Sequence, residues 1–69
     1  MPLSMMKIGE TLAIKKIKGK DETSRFLSNL GFVEGADVTV VSYLSGNMIL
    51  TIKDARIALD KNMANRIVV

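Results

Sequence analysis

The sequence contains no cysteine, no histidine and no tryptophan, a single proline, and only two Phe and one Tyr among its aromatics. Without Cys there can be no disulfide and no thiolate nucleophile or ligand. Without His there is no imidazole to serve as a general base or as a metal ligand. Carboxylates remain as ligands for a hard cation, but Glu10, Asp21, Glu22, Glu34, Asp37, Asp54 and Asp60 are scattered and do not follow a calcium-loop spacing. No apolar run approaches the roughly 18–20 residues that a membrane span needs. The start, Met1-Pro2-Leu3-Ser4-Met5-Met6-Lys7, lacks the basic opening and long apolar centre of a signal peptide. These absences predict a soluble, intracellular chain with no cofactor and no direct membrane insertion.

What is present suits one compact domain spanning residues 1–69. Domains of this size bury only about 60% of the surface their unfolded chain exposes, so the core must be efficient. Hydrophobic residues make up 48% of the chain and charged residues 25%, a globular profile. The net charge of +3 leans toward acidic or nucleic-acid partners without choosing between them.

Periodicity predicts a mostly β fold. Ser4 suits the cap of one helical turn, with Leu3 and Met6 beneath it. Thr11 to Lys18 reads as a strand in which Leu12 and Ile14 alternate, while Ile17 follows three positions later. That slip predicts a β-bulge. Asp21 to Leu30 reads as the one α-helix, with Asp21 as N-cap, Glu22 favouring the dipole, and Phe26, Leu27 and Leu30 as its apolar face. Gly31 ends it, with Phe32 folding back, and Gly35 predicts a positive-φ turn.

Asp37 to Leu44 reads as a strand with Val38, Val40 and Leu44 on one face, interrupted by Ser42, and with Thr39, Val41 and Tyr43 on the other. Ser45-Gly46-Asn47 marks a hairpin, returning as Met48 to Lys53 with Met48, Leu50 and Ile52 aligned. A turn at Asp54-Ala55 precedes Arg56 to Leu59, Asp60 caps a one-turn helix, and Ile67-Val68-Val69 ends the chain as a strand. Pairing of that last strand with an early one would close a barrel and remove an edge. The expectation is a small barrel of about five strands, with one α-helix between strands 1 and 2 and a one-turn helix before the last.

The run Leu27-x-x-Leu30-Gly31-Phe32-x-x-Gly35-x-x-Val38-x-Val40 resembles the central signature of FeoA-like domains. Gly46 to Ile52, then Arg56-Ile57-Ala58-Leu59 and Ala64-x-x-Ile67-x-Val69, resemble the rest of that family, so the similarity runs from about Leu3 to Val69. Glu34 stands where the family often has Pro, and Ala55 where a Gly often precedes the Arg-Ile-Ala-Leu strand; both departures fall in turns. The resemblance implies an SH3-like barrel and a cytosolic accessory role beside FeoB, the membrane ferrous iron transporter with a cytosolic GTP-binding domain. It also implies kinship with the interaction module fused to metal-dependent repressors, and an association with iron homeostasis.

Catalysis has little to work with. Asp21-Glu22 is helix-start chemistry, and Gly19-Lys20 lacks the upstream glycine and the following Ser or Thr of a phosphate loop, since Ile14 and Asp21 hold those places. Met5 and Met6 offer thioethers, yet ferrous iron prefers imidazole and carboxylate, so the five Met residues read as core filler and no iron site is expected. Lys15, Lys16, Lys18 and Lys20 keep a second reading open, a basic nucleic-acid-binding barrel. Such barrels stack bases on aromatics, however, and Phe26 and Phe32 are placed as core. A partner surface is expected at Arg25 and Asn29 on the helix and at Tyr43 and Met48 on the hairpin, since Tyr, Met and Arg are enriched at interfaces. A proline-rich-peptide groove would need more aromatics than the chain has.

Overall fold

The computed structural model describes all 69 residues. A 3-10 turn (Leu3–Met5) is followed by β1 (Thr11–Ala13), β2 (Lys16–Ile17), α1 (Glu22–Asn29), β3 (Asp37–Leu44), β4 (Asn47–Ile52), β5 (Ala55–Asp60), α2 (Lys61–Ala64) and β6 (Ile67–Val68). An antiparallel sheet runs in the order β1-β3-β4-β5, and β2 pairs with β6 in a second sheet. No helix is long and apolar enough to cross a membrane.

The expected single bulged strand over Thr11–Lys18 is instead two strands in two sheets. The Ile14 N–H donates to Ala36 O, while the next donor, Lys15 N–H, reaches Val68 O. Consecutive amides thus serve different sheets, and the slip in hydrophobic phase is a corner of the barrel, as where strands switch sheets. The closing pair follows from it: Lys16 lies opposite Val68 and Ile17 opposite Ile67.

A true bulge sits elsewhere. In the β3–β4 pair, Val40 faces Leu50 but Ser42 faces Ile49, so the register shifts at Val41. The extra residue inverts every later side chain of β3. Tyr43 therefore joins the face of its partner Met48, which is buried, and Leu44 turns outward with 65% exposure. The expected placement of Leu44 with Val38 and Val40 is corrected by this bulge, which lies at the point where Ser42 broke the pattern.

The β3–β4 hairpin closes on Ser45 (φ 51°) and Gly46 (φ 81°), and β4–β5 closes on Lys53 (φ 48°) and Asp54 (φ 65°). Both are two-residue loops with positive φ at both positions, the type I′ geometry whose twist matches the strands. The second turn thus falls one residue before the expected Asp54-Ala55, and Ala55 already pairs with Ile52.

Helix α1 begins as expected, with the Asp21 carboxylate accepting from Ser24 N–H. It ends in a Schellman motif: Gly31 N–H donates to Ser28 O and Phe32 N–H to Leu27 O, with Gly31 at φ 107°. Phe32 and Leu27 are both fully buried. Phe26 is not core as expected but 49% exposed, because the helix turns inward the face bearing Leu27 and Ser24, about 100° away per residue. Gly35 takes the predicted positive φ, 87°.

The Asp60 carboxylate caps α2 by accepting from Met63 N–H, as expected, and Ala64 is fully buried. Ser4 caps nothing: the 3-10 turn has no side-chain cap, and the Ser4 hydroxyl binds the Asn65 side chain instead. Leu3 and Met6 enter the core, but Met5 is 67% exposed, so not all the methionines are filler. Pro2 bridges to Val68, and Met1 and Val69 exchange N–H to C=O bonds. The N-terminal turn is thereby laid against the closing strand.

Candidate docking groove

Two grooves interrupt the surface. The first, about 270 Å³, is lined by Ser4, Tyr43, Gly46, Met48 and Lys61. Tyr43 and Met48 are cross-strand neighbours at the end of the β3–β4 hairpin, brought to one face by the bulge at Val41. The Tyr43 hydroxyl donates to Met6 O at 2.6 Å, so the ring is held while 44% of the residue stays in solvent. Met48, expected at the partner surface, keeps the expected alignment with the buried Leu50 and Ile52; it is only 3% exposed and forms an apolar floor. Ser4 and Lys61 supply a polar rim.

The second groove, about 340 Å³, lies between β2 and α1, where Lys16, Ile17, Ser24, Ser28, Phe32 and Glu34 line it. Its aromatic is fully buried, and Ser24 already donates its hydroxyl to Asp21 O. Lys15, Lys16, Lys18 and Lys20 are all exposed along β2 and beyond it. Of the aromatics, Phe32 is buried, Tyr43 belongs to the other groove, and Phe26 stands exposed on α1.

Arg25 and Asn29 are exposed, four residues apart on the outward side of α1, and line neither groove. The structure thus brings together one half of the expected partner surface, Tyr43 with Met48, and leaves the other half on a separate element. Ser4, Gly46 and Lys61 had no sequence signal for a site. They meet only because the N-terminal turn and α2 converge on the hairpin.

One ion pair is present. The Arg66 guanidinium donates to the Asp21 carboxylate at 2.7 Å. This hydrogen bond, the Ser24 N–H and the positive charge hold the Asp21 carboxyl below its ordinary value of 3.8, against a smaller opposing effect of burial. No three carboxylates come together as a cation site.

A family model described as the FeoA domain matches residues 1–69. The chain belongs to the FeoA family. The fold agrees at the level of solved structures. An iron uptake regulatory protein (FeoA) superposes with a TM-score of 0.87 at 29% identity, covering 96% of this chain and 88% of that one. Stenotrophomonas maltophilia FeoA in complex with zinc, described as a prokaryotic SH3 domain protein, gives a TM-score of 0.89 at 26% identity over 99% of this chain and 87% of that one. A manganese-dependent transcriptional repressor shares the fold, with a TM-score of 0.86 at 20% identity over 97% of this chain and 39% of the repressor. No curated protein sequence matches the chain. The split first strand, the helix after it and the closing β2–β6 pair are thus the SH3-like barrel of a family implicated in ferrous iron transport.

Proposed function

We propose that this FeoA-family chain is a self-contained, non-catalytic docking module of the cytoplasm. It binds the cytosolic part of a FeoB-type, GTP-binding ferrous iron transporter and modulates its uptake. The observation that carries the reading is the hairpin groove: an aromatic ring held by its own hydroxyl, an apolar floor and a polar rim. Interfaces concentrate affinity in such anchors, surrounded by polar groups that exclude water. A ring already fixed in place loses little freedom on binding.

The same groove holds nothing for bond-making chemistry. Its one basic side chain is Lys61, beside Ser4, Tyr43 and Met48, and no carboxylate lines the groove opposite it. Arg25 and Asn29 remain a secondary contact in this proposal, reached only by a partner large enough to extend onto α1.

Titration of the folded cytosolic part of the transporter with this chain tests the reading. Saturable binding is expected, weakened strongly by Tyr43→Ala. Absence of binding at high micromolar concentration, with both proteins folded, contradicts it.

A further inference from the structure

The four-stranded sheet has two edges, and they differ. On β5, the type I′ turn makes Ile52–Ala55 the first hydrogen-bonded pair, so the ladder to β4 uses alternate residues, Ala55, Ile57 and Leu59. The N–H and C=O groups of Arg56 and Ala58 therefore point away from β4, and no strand, loop or side chain of the chain pairs with them. Arg56, Ala58 and Asp60 are exposed on the outer face. Arg56 has no ionic or hydrogen-bonded partner, and the Asp60 cap on Met63 uses Oδ1, leaving Oδ2 free. An open edge of this kind is a template for another strand.

We propose that this edge pairs with β5 of a second copy, antiparallel, about a two-fold axis at Ala58. The occupant follows from the charge order along the strand. With Ala58 opposite Ala58 of the second copy, Arg56 falls opposite its Asp60, and Asp60 opposite its Arg56. Both pairs lie on the outer face, because directly opposed residues of an antiparallel pair share a face. Ile57 and Leu59 face each other on the inner side by the same register. At the axis stands the small Ala58, whose methyl group leaves room for its symmetry mate, and whose N–H and C=O both point toward the second copy. The strand is thus complementary to itself, as an isologous contact requires.

The β1 edge lacks this property. Its outward residues are Thr11 and Ala13, which carry no opposed charges, and the Thr11 hydroxyl is already bonded to Thr39. Directly beyond it the chain leaves for the second sheet at Lys15. Of the two edges, only β5 encodes a partner.

Sedimentation equilibrium of the full chain from micromolar to millimolar concentration tests the proposal, with charge-reversed variants as the decisive arm. The wild-type chain forms a concentration-dependent dimer. Arg56→Asp and Asp60→Arg each place like charges opposite one another and weaken self-association at least about tenfold. Mixing the two variants restores dimers, because both cross-strand pairs then unite opposite charges. Since Asp60→Arg also removes the α2 cap, Ala58→Pro is the second test. It deletes an amide that faces away from β4, is tolerated on an edge strand, and abolishes pairing in a chain whose circular dichroism stays native. A monomer at every concentration, a dimer indifferent to Ala58→Pro, or a mixture no more associated than its components overturns the proposal.

Discussion

The two grooves are of similar size but are built in different ways. In the β2–α1 groove the aromatic residue, Phe32, is the closing contact of a helix end and has no free surface. In the hairpin groove the aromatic residue, Tyr43, packs at the rim and keeps nearly half its surface in solvent. The first groove is a seam between elements that the fold needs. The second is a place where the fold has left an anchor unused. A large side chain beside a concavity is therefore a candidate for recognition only when the core does not already claim it.

The sharpest way to break this contrast is to truncate both aromatics. Phe32→Ala should cost about 3–5 kcal/mol of stability, since it empties a fully buried site and removes the partner of Leu27. Chemical denaturation should show the midpoint falling steeply, and a loss under about 1 kcal/mol would mean that the helix end is not structural. Tyr43→Ala should instead leave a folded chain that binds the transporter's cytosolic part some tens of times more weakly, as for an interface anchor worth about 2 kcal/mol. Isothermal titration checks it, and unchanged affinity would remove Tyr43 from the contact.

Removing only the hydroxyl separates holding from contacting. Tyr43→Phe leaves the Met6 carbonyl without its donor, so stability should fall by about 0.5–1.5 kcal/mol while the ring remains to bind. A thermal shift together with a smaller affinity loss than Tyr43→Ala is expected; equal losses would show that orientation, not area, governs the groove.

The lysine strand sharpens the comparison from the other side. Replacing Lys15, Lys16 and Lys18 together by Gln should change transporter affinity less than about threefold, while any weak RNA or DNA binding at low salt disappears. Strong, steeply salt-dependent nucleic-acid binding by the wild-type chain would favour the β2 side as the working surface.

The smallest effect concerns Asp21. Its carboxyl is depressed in the folded chain, so the stability it contributes is present above the unfolded value of 3.8 and is lost as pH falls below 3.8 through the folded value. Acid unfolding of Arg66→Gln should therefore show a shallower loss in that window than wild type, and identical acid curves would mean that the exposed pair is inert.

How much of this could be read from the residues depended on distance along the chain. The helix cap at Asp21, the end at Gly31-Phe32, the hairpin at Ser45-Gly46 and the cap at Asp60 are local, and each stands where its own neighbours put it. The two failures in phase are also informative. The irregularity near Ile14–Ile17 and that at Ser42 look alike in sequence, yet one is a corner between sheets and the other a bulge within a pair. Only the partner strand distinguishes them.

The groove was half legible. Tyr43 carried an interface signal of its own, but its alignment with Met48 depends on the bulge, and Ser4 and Lys61 arrive from opposite ends of the chain. Phe26 was misplaced because three apolar residues on a short helix leave its inward direction underdetermined until Ser24 and Leu27 are seen to face the core.

The account rests on the hairpin groove as the docking surface, and an amide-resolved titration addresses that most directly. The isotope-labelled chain should be titrated with the unlabelled cytosolic part of a FeoB-type transporter and followed by NMR. Shifts concentrated at Ser4, Tyr43, Gly46, Met48 and Lys61, with Lys16, Ser24 and Ser28 unmoved, are the predicted result. Shifts concentrated on β2 and α1 with the hairpin silent, or no shifts at all, would contradict it.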